Sequence, residues 1–219
     1  MIAAIVPAKA LDEAKTRLAA VLSEEERRRL ALAMLEDVLA ALACVSRLDT
    51  VWVVSPDDEV LELARRSGVE AIAEPESVRG LHGALIHAQD VMSPRSPDAV
   101  LVVLADVPAV SAGDVDRVLD TLGSDSGAVI CPSSAGGTSV LALRPAGAIP
   151  FRFGPGSSAL HQEEATTRGV PMQVLNIESL ARDIDEPGDL LYILRNPRET
   201  ATRRLLSELR VGERLGART

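Results

Sequence analysis

Apolar runs and amphipathic stretches alternate along this chain. Residues 1–6, MIAAIV, form an unbroken apolar run of strand length. Ser23-Glu24-Glu25-Glu26 then reads as a capping box, and the next twenty residues carry Leu30, Ala33, Met34, Val38, Ala41 and Leu42 at helical spacing. TVWVVS, residues 50–55, predicts a second strand. Pro56-Asp57 opens a helix that Gly68 closes. A short strand is expected near Ala71, and a helix over 82–92 opened by Arg79-Gly80-Leu81-His82-Gly83. AVLVVLAD, residues 99–106, is the clearest buried strand, because an uninterrupted apolar run suits the middle of a mainly parallel sheet. Ser111 with Asp114 starts another helix. GAVICP and TSVLAL predict two strands around SSAGG, a helix starts near Ser157, a strand lies near Val174, and a core helix follows Pro187.

Strand and helix therefore alternate, which predicts an α/β protein: a three-layer αβα sandwich around a mostly parallel, Rossmann-like sheet. Ligands of such sheets sit at the carboxyl ends of the strands. Residues 1–195 are expected to form one domain. Residues 196–219 carry six arginines against three glutamates, which leaves −12 on the rest of a chain of net charge −9. Leu205, Leu206 and Leu209 suggest a short helix there that packs on the body or on the second subunit of a homodimer; the alternative is a frayed basic tail.

Composition narrows the partners. The net charge of −9 argues against general binding to nucleic acid or an anionic membrane. Aromatic residues make up 2% of the 219, too few for a stacking platform for single strands. No charged leader or spanning apolar run opens the sequence, so a cytoplasmic protein is expected. Cys44 and Cys131 stand apart without a CxxC pair and read as two buried thiols.

The basic residues are unevenly written. Of 23, only Lys9 and Lys15 are lysine, and both fall in the loop after the first strand together with Arg17. Lysine is a compact charge on a flexible stem that can approach a phosphate as a point donor. Three cations in nine residues, at the edge where ligands bind, suit a polyphosphate. The alternative is a solvated loop whose Asp12 and Glu13 pair with the lysines. The loop is neither a GxxxxGK[ST] nor a GxGxxG cradle.

Carboxylates supply the second group. Asp106, in LADVPAV, should stand at the sheet's carboxyl edge. Asp183 and Asp185 of the DID stretch lie at i and i+2, so in extended chain they point the same way. Three carboxylates meeting at one point call for a hard cation, and Mg²⁺ suits phosphate chemistry. The alternative for Asp183 and Asp185 is capping of the helix after Pro187. Gly136-Gly137-Thr138 lets backbone and a hydroxyl approach a small ligand. Gly154-Pro155-Gly156-Ser157-Ser158 leads into a helix whose free N–H groups would hold an anion; tight turns with an N-cap serine are the plainer reading. Two glycines at Gly80 and Gly83 would let a planar base lie against backbone, with His82 as a contact; a cap or surface histidine is the plainer reading of His82. His87 and His161 give no metal-ligand spacing.

Taken in order, IVPAKALDEAKTRLA, LADVPAV, GGTSVLALRP, IPFRFGPGSSALHQEEA and DIDEPGDL resemble the guanylyltransferases of coenzyme F-420 biosynthesis, which act on 2-phospho-L-lactate or phosphoenolpyruvate. The resemblance spans roughly residues 1–195. It implies a nucleotidyltransferase fold and a GTP-dependent reaction in which the phosphate of a three-carbon phospho-acid attacks the α-phosphate and pyrophosphate leaves. It further implies Mg²⁺ on Asp106, Asp183 and Asp185. Thr138, Gly154 and Ser157 would hold the acceptor. Pro7, Ala8, Lys9, Lys15, Gly80, His82, Gly83 and Asp106 would hold the nucleotide, and Lys9, Lys15, Arg17 and Asp106 would serve catalysis. The chain departs from the family pattern at His82, at Ser133-Ser134-Ala135 and at Ser139. Two rival readings are a nucleotidyltransferase with a sugar-phosphate or pterin acceptor and a non-catalytic nucleotide-binding subunit.

Overall fold

The computed structural model describes residues 1–78 and 80–216; Arg79, expected to open a helix, and the last three residues lie outside it. Seven strands build the sheet: β1 (Ile2–Pro7), β2 (Thr50–Ser55), β3 (Glu70–Ala73), β4 (Ala99–Val103), β5 (Gly127–Pro132), β6 (Thr138–Arg144) and β7 (Met172–Val174). Their order is β3-β2-β1-β4-β6-β5-β7. All neighbours pair in parallel except β6, which runs antiparallel to both β4 and β5. β4 is thus the middle strand, as its unbroken apolar run predicted. It ends at Val103 rather than at residue 106: the Leu104 N–H still bonds the Ser139 carbonyl, and the chain then turns through Val107 and Pro108.

Side chains of each central strand alternate between two cores, as the two-residue period requires. In β4, Ala99, Leu101 and Val103 join one apolar cluster while Val100 and Val102 join the other. In β1, Ala4 and Val6 face the first, Ala3 and Ile5 the second. Helices α1 (Glu24–Ala43), α2 (Asp58–Arg66) and α4 (Ala112–Leu122) cover the first face. Helices α3 (Gly80–Met92) and α5 (Ser157–Arg168) cover the second. This is the expected three-layer sandwich. The helix starts follow the predicted chemistry. Ser23 and Glu26 form a reciprocal capping box on α1, and Ser111 and Asp114 form one on α4.

A third apolar cluster lies beside the sandwich. It joins Leu18 and Leu22 of the first loop and Met34 of α1 to Ile184 of the DID stretch. Leu190 of α7 (Pro187–Arg195), Leu206 of α8 (Ala201–Glu208) and Val211 of α9 (Val211–Arg214) complete it. Between α5 and α7 lie the edge strand β7 and the single turn α6 (Glu178–Ala181). The described part of the C-terminal stretch is therefore helix docked on the body. Asp37 of α1 accepts the Ala201 and Thr202 N–H groups at 2.6 and 2.9 Å and so fastens the start of α8. Cys131 is buried, but Cys44 is exposed, because it caps α1 beyond the helix's apolar face. Among the described residues, no helix is long and apolar enough to cross a membrane.

Candidate active site

A cavity of about 1000 Å³ runs along the carboxyl edge of the sheet. Strand order lays out its contents. β3 and β2 bring Glu74 and Pro56, β1 brings the lysine loop, β4 brings Asp106, and β6 brings Thr138. Asp183 and Asp185 close it from the C-terminal side.

The lysine loop is shaped by two short 3₁₀ turns, Leu11–Glu13 and Thr16–Leu18, with Leu11 and Leu18 buried as anchors. The Asp57 carboxylate, which caps α2, also accepts the Leu11 N–H at 3.0 Å. Lys15 sits between the turns at φ 52°, ψ 38°, a left-handed conformation unusual for a residue with a side chain. That turn sends its ammonium inward, where it donates to Asp106 Oδ2 at 2.8 Å and Asp185 Oδ1 at 2.9 Å. The two lysines are thus unlike. Lys9 and Arg17 are exposed and line the cavity, whereas the Lys15 side chain is 8% exposed and enclosed by carboxylates. Asp12 and Glu13 do not pair with Lys15. Lys15 lines the cavity as well, but its first partners are two acids distant in sequence.

Electrostatics follow from that arrangement. Burial pulls the Lys15 pKa down, but Asp106 and Asp185 outweigh it, so the ammonium is held charged. Burial pushes Asp185 up, but the Lys15 ammonium prevails and keeps it below the usual carboxylate range. Burial first, then the Asp106 and Asp185 charges, raise the Asp183 pKa; the Lys15 charge also pulls it down but does not prevail. The two-residue period places this acid as expected, since Ile184 between Asp183 and Asp185 is fully buried and its N–H bonds the Asp106 carbonyl at 3.0 Å. Neither aspartate caps α7; Glu186 is its N-cap, in a capping box with Asp189, which accepts the Asp185 and Glu186 N–H groups at 3.0 and 2.7 Å. Among the described residues, no three His, Cys, Asp or Glu side chains stand close enough to enclose a metal ion together. The three carboxylates therefore share one cavity wall, but do not converge on one point. Asp106 Oδ1 is nonetheless buried without a hydrogen-bond partner. An orphaned carboxylate oxygen beside an acid of raised pKa suits a divalent cation that keeps water and phosphate in its other positions.

At the far end, Thr138 and Ser157 are buried at 2% and 1% exposure. The N–H groups that open α5 are already used, Ser157 N–H by the Gly154 carbonyl at 3.1 Å and Ser158 N–H by the Gly136 carbonyl at 3.3 Å. The expected open helix N-terminus is thus absent, and its N-cap is Gly156 at φ 69° rather than a serine. Side chains supply the donors instead. His161 Nε2 accepts the Arg152 N–H at 2.9 Å, so the neutral ring carries its proton on Nδ1, which faces Thr138 Oγ1 at 3.1 Å. The Ser157 hydroxyl also donates to Thr138 Oγ1, at 3.0 Å. Thr138 oxygen accepts twice, and its own proton is left to donate to the cavity. Burial pushes the His161 pKa down to about 4, which keeps the ring neutral near pH 7. Gly137 completes the turn: a Cβ there would lie 2.9 Å from Ser133 Oγ, which accepts the Gly137 N–H at 3.1 Å.

Of the residues read from sequence, Pro7, Ala8, Lys9, Lys15, Arg17, Gly80, Asp106, Thr138, Gly154, Ser157, Asp183 and Asp185 all line this cavity. His82 and Gly83 do not. Helix α3 turns Leu85 and Ala88 to the core and Leu81 and Ala84 to the cavity, which leaves His82 exposed. Gly83 serves packing, since a Cβ there would meet Val78 Cγ1 at 3.1 Å. Sequence reasoning missed Glu74, Ser133 and Phe153 in the lining and gave His161 no role. The one local signal for Glu74 was the proline after it, which holds the preceding residue extended at the strand end.

A mixed sheet of this order, with a cationic loop after its first strand and an acid after its middle one, defines an α/β fold of the nucleotidyltransferase class. A solved nucleotidyl transferase from Methanothermobacter shares it with a TM-score of 0.64 at 19% identity, covering 88% of this chain and 95% of that one. That likeness is one of fold. The family is shown by sequence: the chain belongs to the guanylyl transferase CofC-like family, which matches residues 2–215. It is 43% identical over 85% of its length to a phosphoenolpyruvate guanylyltransferase of Sphaerobacter thermophilus, 89% of which is covered. It is 40% identical over 94% of its length to a 2-phospho-L-lactate guanylyltransferase of Methanothermobacter thermautotrophicus, 90% of which is covered.

Proposed function

We propose that this protein transfers the guanylyl group of GTP to the phosphate of a three-carbon phospho-acid, phosphoenolpyruvate or 2-phospho-L-lactate, in coenzyme F-420 biosynthesis. One observation carries this beyond family membership: a single cavity joins the Lys9, Lys15 and Arg17 cations and Asp106 to the buried Thr138–Ser157 pair. A phosphate oxygen of the acceptor attacks the α-phosphorus of GTP, the bond to the β-phosphate oxygen breaks, and pyrophosphate leaves. Both reactants are anions, so the chain must screen their charge and hold them in line. Lys9 and Arg17, exposed at the cavity wall, approach the triphosphate. Lys15 fixes Asp106 and Asp185 in place. Thr138, its hydroxyl proton directed outward by His161 and Ser157, donates to the acceptor. No general base is needed, because the nucleophile is already an anion.

Of the three aspartates expected to hold Mg²⁺, Asp106, through its unpartnered Oδ1, and Asp183 would be its ligands, while Asp185 is engaged by Lys15. When bound, the ion neutralises charge shared between the α-phosphate and the leaving pyrophosphate. The reading carries with it a cytoplasmic enzyme with soluble substrates and neither nucleic acid nor membrane as partner. Residues 1–195 would hold the chemistry and the C-terminal helices would brace it.

The test is pyrophosphate release by the purified chain with GTP, ATP and CTP. Each is offered with phosphoenolpyruvate, 2-phospho-L-lactate, 3-phosphoglycerate, a sugar phosphate and a pterin phosphate. Turnover is expected with GTP and a phospho-acid, and should stop when a chelator removes Mg²⁺. Release with none of the pairs, or only with a sugar or pterin acceptor, would overturn the proposal.

A further inference from the structure

The cavity has a third part that neither phosphate nor acceptor accounts for. Pro56, Val60, Pro75, Val78 and Leu81 line it, and one carboxylate, Glu74, stands among them. We infer that Glu74 selects the nucleobase, accepting the two donors on the Watson–Crick edge of guanine. This rests on the guanylyl-transfer reading and names the residue that makes it specific.

Position comes first. The Glu74 N–H donates to the Ser55 carbonyl at 2.9 Å, one step past the paired end of β3, so its backbone is fixed at the sheet's carboxyl edge. Reaction at the α-phosphate must occur between Asp106 and Thr138, at β4 and β6. The base therefore extends toward β3, three strand positions from β4, or about 14 Å at ~4.8 Å per strand. Glu74 stands where that end of the nucleotide arrives.

Chemistry decides what it would bind. Among the described residues, the Glu74 carboxylate has no hydrogen-bond or ion-pair partner. Of the glutamates lining the cavity, Glu13 and Glu76 are exposed while Glu74 is partly withdrawn from water. Burial raises its pKa, with His87 of α3 opposing. A carboxylate in apolar surroundings demands donors. In a cavity for a triphosphate, on a chain of net charge −9, a further negative charge gains nothing for the phosphates. Guanine presents N1–H and N2–H₂ side by side, a match for the two carboxylate oxygens. Adenine presents an acceptor at N1, and cytosine one at N3, so either would set a lone pair against the anion. A site built to pair donors rejects a ligand that lacks them far more strongly than an apolar pocket rejects a change of size.

The experiment compares kcat/KM for GTP, ITP and ATP, at saturating acceptor, between the wild-type chain and Glu74→Gln. ITP is guanine's analogue without the N2 amino group. Wild type should favour GTP over ITP by about tenfold and over ATP by a hundredfold or more. In Glu74→Gln, GTP should lose on the order of a hundredfold, the GTP:ITP ratio should fall toward one, and ATP should gain on GTP. The acceptor KM and the melting temperature should not move. A variant that keeps the GTP:ITP ratio and GTP KM of wild type, or a wild type indifferent between GTP and ATP, overturns the inference. If wild type turns over no nucleotide, the transfer reading fails, and equilibrium binding of GTP against ATP to the same two proteins decides Glu74 by itself. Loss of the GTP preference in the variant would uphold it, and equal affinities in wild type or an unchanged preference in the variant would overturn it.

Discussion

Lys15 Nζ donates to Asp106 Oδ2 at 2.8 Å across 91 residues of sequence, and the same ammonium reaches Asp185 Oδ1 at 2.9 Å. A buried cation between two acids is costly to remove from one side, because the acids are left facing each other. Because Asp106 and Asp185 are partly exposed and screened by water, Lys15→Met is expected to lose about 1–3 kcal/mol of stability, and nearly all turnover. Lys15→Arg keeps the charge, but a planar fork does not fit a site shaped for a point donor. It should fold and still lose on the order of a hundredfold in rate, as misplacement by about 1 Å does. Lys9→Arg, at an exposed position without a partner among the described residues, should stay within about tenfold of wild type. Denaturant melts and steady-state kinetics of the three variants check this.

Asp106→Asn tests the carboxylate at the end of the middle strand. It removes the charge that holds Lys15 and the orphaned oxygen suited to a cation. Turnover should fall below detection at any Mg²⁺ concentration while the far-UV spectrum is retained. Near-normal rates would remove Asp106 from the machinery.

His161 sets a pH dependence. Its folded pKa of about 4 lies below the ordinary value of 6.5 because burial disfavours the charged ring. The unfolded chain therefore binds the extra proton first. Stability from this residue is fully present above about pH 6.5, falls as pH drops toward 4, and changes no further below it. The loss is at most about 3 kcal/mol. Urea melts of wild type at pH 7 and pH 5 should differ by more than those of His161→Gln. The same variant should raise the acceptor KM several-fold with little change in the KM for GTP, because Thr138 loses the group that turns its proton outward.

The C-terminal helices brace the site from behind. Leu206 shares a cluster with Leu18 of the lysine loop and Ile184 of the DID stretch. Leu206→Ala should cost about 2–5 kcal/mol. Asp37→Ala, which leaves the Ala201 and Thr202 N–H groups without their acceptor, should cost about 1–3 kcal/mol. Limited proteolysis should then cut near the first loop sooner than in wild type. Unchanged cleavage there would mean the helices support only themselves.

Local patterns in the sequence determined most of the fold. The alternation of apolar runs with capped amphipathic stretches gave the αβα layers. Ser23 with Glu26 and Ser111 with Asp114 marked two helix starts to the residue, because a cap is a bond between groups three residues apart. The two-residue period of extended chain put Asp183 and Asp185 on the same side of buried Ile184. What joins distant segments was decided only in three dimensions. The order of the strands made β6 antiparallel and brought Lys15 between acids 91 and 170 residues away, where local reading had offered it Asp12 and Glu13. Packing of α3 turned His82 away from the cavity, and the turn at Gly136 used the Ser158 N–H that α5 was expected to offer a ligand. Glu74 acquired its place because β3 is an edge strand whose end opens into the same cavity. Short-range hydrogen bonds and side-chain period are written in neighbouring residues; which charges meet depends on how the whole sheet is ordered.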